Sequence, residues 1–547
     1  MRPARRPVDR VRATAARLTW GTLPGSAVDD DTRELLRTGL GGIVLFSRSI
    51  GGRDAVRRLV AELRREAAGP LHVSVDQEGG QIVRLRDGFT AFPGAMAIGA
   101  AGSSELAFEV ARASAVEMAG VGINVVLAPV LDLAIDLRNP TVGARSFGSS
   151  PAHVARLGAA TVRGYLAGGV LPVPKHFPGH GRTPHDTHTG RVVAVGDGET
   201  LRRDLHPFET AIEAGAALLM ASHVRYPGMG DELPASISPS IVRLARDRLG
   251  FGGVLITDAM VMDAITVDRS VPEACVRSLA AGLDIVMALE PARKVVEEVA
   301  RAVDDGRLAE GVLEAALARV VGLAAEDPPL GPAAAPRSAT LGDESSDERR
   351  DAVLARHAGL ADRVARASLT LAWGGDQLPI DPATSVLLVD LPGRAISPIE
   401  DRLGDQAGTP MAAALATRFP RLLRLAGDAG EPGWTERVLA AAGTAEMVIV
   451  ATRDAFVGQD ERAFLRKLAD VGRPVVRIAL HSPADLALPG RPDVAIAAYS
   501  DVPATAVALA DALAVGRRAF PGRLPVRLPG ALPDAPRRPA PAAPGTS

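Results

Sequence analysis

The feature that most restricts how this chain can fold is a repeat of short, continuously apolar runs separated by longer stretches of helical periodicity. The runs fall at residues 42–46, 71–75, 123–128, 170–173, 217–221, 254–257 and 284–287. Helical spacing of apolar residues covers 54–66, 104–119, 151–167, 201–214, 239–249 and 272–281. A strand that is apolar on both faces must be covered on both, which is the condition of a parallel sheet in β-α repeats. Sustained over about 320 residues, the pattern predicts an α/β protein with an N-terminal (β/α)8 TIM-type barrel rather than a doubly wound sheet. Polar residues stand at the ends of these runs: Asp76, Asp132, Lys175, His223 and Asp258. In a barrel such positions converge on the C-terminal face, where reaction sites lie.

Further apolar runs at 385–389, 446–450, 475–479 and 493–497 alternate with helical stretches and predict a second α/β unit, an αβα sandwich. It carries no glycine-rich phosphate loop of the required spacing. The expected division is a catalytic barrel over 1–325, a Pro-, Ala- and acid-rich linker over 326–350, the sandwich over 351–530 and a disordered Pro/Ala-rich tail over 531–547.

With 547 residues, 47% hydrophobic residues and a formal net charge of −2, the chain has ample core and no basic surplus for nucleic acid. Aromatics at 3% leave little for base-stacking platforms. Its one cysteine, Cys275, excludes an intramolecular disulfide, which fits a reducing cytoplasm. The start, Met1-Arg2-Pro3-Ala4-Arg5-Arg6, is basic but lacks the apolar region of a signal peptide, and no run is long enough to cross a bilayer. The expectation is a cytoplasmic protein with no membrane span; the oligomeric state is not legible.

The stretch from Lys175 to His188 holds four of the ten histidines in a segment broken by proline and glycine, hence a loop. Asp186 and His188 are spaced so that a carboxylate can hold one imidazole nitrogen and make the other a proton carrier. A metal site of His176, His180, His185 and His188 is the competing reading, but no standard zinc spacing is present. Histidines that merely shape a loop are the third. Asp76-Gln77-Glu78-Gly79-Gly80 can grip vicinal hydroxyls through Asp76 or be a simple glycine turn. Arg145 can fork onto a ligand or form a structural ion pair. Asp258, ending an apolar run, suits a nucleophile, a metal ligand or a helix N-cap, with Asp263 a weaker candidate.

Taken together, Asp76-Gln77-Glu78-Gly79-Gly80, Arg145-Ser146-Phe147-Gly148, Lys175-His176-Phe177-Pro178-Gly179-His180-Gly181, Asp186-Thr187-His188 and Thr257-Asp258-Ala259-Met260-Val261-Met262 resemble glycoside hydrolase family 3. Within it they are similar to the bacterial β-N-acetylglucosaminidases of peptidoglycan recycling. The later segment Arg517 to Val526 looks like the end of that family's C-terminal αβα domain. Two departures stand out: Ala259 and Met260 replace an Asp and a Leu common in the recycling enzymes, and Leu18 to Gly25 match only loosely.

The resemblance implies a retaining exo-β-N-acetylglucosaminidase working by double displacement on terminal β-N-acetylglucosaminides such as peptidoglycan fragments. Asp258 would be the nucleophile and His188, supported by Asp186, the acid/base. Asp76, Arg84, Arg145, Lys175, His176 and His223 would line the sugar site, with no metal and no cofactor. Because an imidazole acid/base is not anionic, phosphate is an alternative acceptor, which would make the enzyme a phosphorylase releasing sugar 1-phosphate. An inactive sugar-binding module is the alternative of another class.

Overall fold

The computed structural model describes residues 7–137, 139, 141–183, 186–188, 190–325, 347–393 and 410–528. The expected tail at 531–547, the first six residues, most of the expected linker and the candidate ligand His185 lie outside the described residues.

The N-terminal half is built on an eight-stranded parallel sheet. Its strands are β1 (Thr19–Thr22), β2 (Gly42–Leu45), β3 (His72–Val75), β4 (Val125–Val126), β5 (Leu171–Pro172), β6 (Leu218–Ala221), β7 (Val254–Ala259) and β8 (Ile285–Leu289). The spatial order β5-β4-β3-β2-β1-β8-β7-β6 is chain order wrapped into a ring, with β1 paired to both β2 and β8. The two outer strands meet through backbone beyond β5: Phe177 N–H donates to Met220 O at 2.7 Å, and Ser222 N–H to Phe177 O at 2.9 Å. The sheet is therefore a nearly closed barrel, as expected.

Each run reads as strand because valine, leucine and isoleucine fill a pleat buried on both sides. Trp20 is completely buried in the barrel core, and its indole lies against Gly42, where a Cβ would come within 2.7 Å of the ring. No larger residue fits at that point of β2.

β1 was not among the predicted strands, since Thr19-Trp20-Gly21-Thr22 carries no apolar run. The helical stretch 201–214 divides into Gly198–Arg203 and His206–Glu213, with Pro207 at the start of the second. Proline suits the first turn of a helix and cannot continue an earlier one.

The second unit carries β9 (Thr370–Trp373), β10 (Val386–Asp390), β11 (Leu422–Ala426), β12 (Met447–Thr452), β13 (Val475–Ala479) and β14 (Val494–Ala497). Their order is β9-β14-β13-β12-β10-β11, all parallel but for β9 against β14. Alternate residues serve opposite faces. Leu387, Val389, Val448 and Val450 pack with Trp434, Val438 and Phe464, while Val386, Leu388 and Ile449 pack with Met411, Leu415 and Leu509. Helices thus cover both faces of a mixed sheet in three layers.

The helix Asp347–Ser368 begins inside the stretch read as linker. Its Leu360, Ala361 and Val364 pack with Ile98, Ala107 and Val110 of the barrel half. Interface helices with apolar faces join the two units in one continuous contact.

Candidate active site

The barrel strands deliver their polar residues to one end, around a cavity of about 360 Å³. Asp76, Arg84, Lys175, His176, His188 and Asp258 line it, with Phe46, Met262 and Leu289 among its apolar walls. Arg145 and His223 do not line it directly.

Asp258 lies in the last turn of pleat of β7, and the helix that follows starts at Asp263 with Met262 as its N-cap. The N-capping alternative for Asp258 is thereby removed. Its Oδ1 accepts the Ala259 N–H at 2.8 Å. Burial pushes the carboxyl up, but His176, His223, His188 and the Ala259 N–H outweigh burial and hold it down at about 2. It is an anion across the neutral range. Asp263 starts the next helix and lines no part of the cavity.

His188 stands on the loop after β5, and its Nδ1 lies 2.7 Å from Asp186 Oδ1. The same oxygen accepts the His188 backbone N–H at 2.8 Å, which fixes the carboxylate as well as the ring. With Nδ1–H given to Asp186, Nε2 is left to take or give a proton. Thr187, between them, accepts the Ala264 N–H through its carbonyl at 3.1 Å, tying this loop to the segment after β7. His188 is a fifth exposed, whereas Asp186 is buried.

Lys175 is 1% exposed and sits between two carboxylates, 2.7 Å from Asp76 Oδ1 and 2.7 Å from Glu78 Oε1. Burial opposes its charge, but the two carboxylates raise its pKa above the ordinary lysine value. Arg145 donates Nε–H and Nη2–H to the two oxygens of Glu78, each at 2.8 Å, and Nη1–H to Thr141 O at 2.5 Å. Its fork is therefore turned on Glu78, the ion-pair alternative, and it supports the cavity wall from behind. Despite burial, Arg145 and Lys175 keep Glu78 far below the usual carboxylate range.

His176 gives Nδ1 to Asp132 Oδ2 at 2.6 Å, and its peptide with Lys175 is cis. Asp132 Oδ1 also accepts the backbone N–H groups of His176 at 3.2 Å and His180 at 2.6 Å. Burial raises the Asp132 carboxyl, yet His176 and these bonds bring it below its ordinary value. His180 is bound to Thr183 Oγ1 at 2.8 Å, and burial lowers it to about 4. His223 accepts from or donates to Ser236 Oγ at 2.7 Å and gives Nε2–H to Ala259 O at 2.9 Å, bracing the residue beside Asp258. Burial lowers its pKa below the ordinary histidine value, against the pull of Asp258.

Glu78 and Asp132 are the functional residues that the sequence left without roles. Both stand in runs already marked as polar strand ends or turns, but their partners come from other loops, after β4 and β5. Among the described residues, no group of three His, Cys, Asp or Glu is disposed to hold a metal ion.

The Glycosyl hydrolase family 3 N terminal domain matches residues 15–323. The chain is 30% identical over 390 residues to beta-hexosaminidase A of Pseudoalteromonas piscicida, covering 65% of this chain and 63% of that relative's length. It is 38% identical over 258 residues to the beta-hexosaminidase of Xylella fastidiosa (strain 9a5c), covering 46% of this chain and 76% of the relative. The solved family 3 beta-N-acetylglucosaminidase from Paenibacillus sp. str. FPU-7 superposes with a TM-score of 0.84 at 30% identity, covering 94% of this chain and 98% of that one. The chain is an enzyme of glycosyl hydrolase family 3.

Proposed function

We propose that the protein is a retaining exo-β-N-acetylglucosaminidase that hydrolyses terminal β-N-acetylglucosaminides, peptidoglycan fragments being the expected natural source. The observation that carries this reading is the meeting of Asp258 and the Asp186–His188 pair at one cavity. The names of the hexosaminidase relatives support the 2-acetamido sugar.

In the first step an Asp258 oxygen attacks C1 while His188 Nε2–H protonates the departing glycosidic oxygen. Asp186 stabilises the imidazolium by holding Nδ1–H and orients the ring. In the second step neutral His188 takes a proton from water as it attacks C1, releasing Asp258 and the sugar with its configuration retained. Asp76, Arg84, Lys175 and His176 line the sugar's hydroxyl side; Arg145 and His223 act through Glu78 and Ala259. No step calls for a metal or cofactor.

His188 carries no negative charge as it turns from acid to base, so phosphate can approach where a carboxylate base would repel it. Hydrolysis of an aryl β-N-acetylglucosaminide with and without millimolar phosphate decides the acceptor. Free N-acetylglucosamine as the main product supports the hydrolase; sugar 1-phosphate would replace it with a phosphorylase. A fully buried Cys275 leaves no disulfide and supports a cytoplasmic place, and no helix among the described residues is long and apolar enough to cross a membrane.

A further inference from the structure

We infer that the C-terminal sandwich is a positioning element for the sugar site, acting through Gln81, Asp454 and His481. The inference rests on the reading that Asp76 and Arg84 hold the sugar. In open α/β sheets, ligands lie beyond the carboxyl ends of the strands where the chain order reverses. Here the reversal falls between β10 and β12, since β11 lies outside β10 while β13 and β14 lie on the other side. Asp454 follows β12, which flanks that reversal, and His481 follows β13, the next strand along. The barrel's own hairpin reaches the carboxyl ends of β12 and β13, beside that reversal.

The hairpin pairs Gln77–Gly79 with Ile82–Val83, and its turn is Gly80-Gln81. The Gln81 side-chain nitrogen donates to Asp454 Oδ2 at 2.9 Å and lies 2.7 Å from His481 Nδ1. His481 Nδ1 is itself 2.9 Å from Asp454 Oδ2, and Ser482 N–H donates to Asp454 Oδ1 at 3.2 Å. Asp454 has φ +57, a left-handed conformation uncommon outside glycine, so its placement is a specific feature of this edge.

The tip is coupled to the cavity because the hairpin is stiff. Gln77 Oε1 accepts the N–H groups of Arg84 and Leu85, each at 3.0 Å, and its Nε2–H donates to Leu85 O at 3.1 Å. At the turn, Gly80 has φ +59 and a Cβ there would meet Gly94 Cα at 2.9 Å, so the tip has one seat. Asp76 enters the hairpin, Arg84 leaves it, and both line the cavity. Asp258 and the Asp186–His188 pair stand on other strands and loops, so the grip on Gln81 bears on sugar binding and not on the bond-breaking groups.

The test uses full-length protein with Gln81→Met, which keeps volume and removes the amide, and Asp454→Asn, which tolerates the same backbone. Loss of one such hydrogen bond should raise KM for an aryl β-N-acetylglucosaminide roughly 3- to 10-fold with kcat changed less than ~2-fold. The double variant should show no larger rise than the worse single, because both break one contact. Unchanged KM with a lowered melting temperature would make the contact mere domain glue and overturn the inference, as would multiplied losses in the double variant. If the wild type released no aryl group, the glycosidase reading would fail instead. N-acetylglucosamine affinity by titration calorimetry would then read the same split between wild type and Gln81→Met.

Discussion

Asp258 lies among His176, His188 and His223, whose attraction, with the Ala259 N–H, outweighs burial and keeps the carboxylate in the anionic form that the proposed nucleophile needs. Its pKa of about 2 is depressed from 3.8, so the folded protein favours the anion, and that preference fades only as pH falls toward 2. Trapping by an activated 5-fluoro glycosyl fluoride, which needs no acid, should run at constant rate from about pH 7 to about pH 4. An inflection inside that window would mean the nucleophile is not held down as described. Asp258→Ala should lower turnover of an aryl β-N-acetylglucosaminide by at least ~10³-fold; an active variant would end its role as nucleophile, and a wild type without turnover would favour the binding-module alternative. His188→Ala should cost poor leaving groups about 10²-fold more than a dinitrophenyl group that leaves unprotonated, measured as kcat/KM across an aryl series. An equal loss across the series would count against His188 as the acid. The residues proposed to carry the chemistry were visible in the sequence as candidates because they cluster in one loop and at strand ends. Glu78 was not, because its place depends on Arg145 and Lys175 arriving from the segments after β4 and β5.

At the scale of the element, one buried carboxylate gathers the first turn of the loop after β5. Asp132 takes the His176 ring and the backbone N–H groups of both His176 and His180, and it is completely buried. Asp132→Asn keeps the shape but turns one acceptor oxygen into a donor facing Nδ1. The expected loss is about 2 kcal/mol of stability at pH 7, seen as a lower denaturant midpoint. The Asp132 pKa is depressed, so its contribution is full above the unfolded value of 3.8 and is lost as pH falls through the folded value. The gap between wild type and variant should therefore narrow below about pH 4, and a gap independent of pH would assign the loss to packing alone. Strands such as β6 and β13 were legible because apolar runs mark burial on both faces. β11 was not: at the sheet's edge it alternates half-buried with exposed residues, and Leu423 is 53% exposed. β1 escaped for a different reason, because its threonines and glycine take their place from the pairing of β2 and β8, a tertiary fact.

Across the whole molecule, the two units are joined by more than a tether. Met96, Ala97 and Ala100 of the barrel half pack into the same apolar core as Trp434, Phe464 and Leu486 of the sandwich. The helix Asp347–Ser368 adds Leu360, Ala361 and Val364 against Ile98 and Val110, while His357 Nδ1 meets Glu117 Oε1 at 2.7 Å. Arg523 N–H donates to Ala100 O at 3.0 Å and Ser149 N–H to Pro525 O at 3.1 Å, so the last described segment returns to the barrel. An interface this apolar behaves as core, and units sharing core unfold together. Calorimetry should accordingly show one transition for the full chain. Leu360→Ala removes a side chain that is 5% exposed at this junction and should cost roughly 2–5 kcal/mol through the cavity it leaves. Because the loss falls on the shared core, the whole transition should move down by a few degrees while keeping its single peak. Two peaks with only one displaced would show that the units melt independently, and the sandwich would then have to grip the Gln81 hairpin without sharing the barrel's stability.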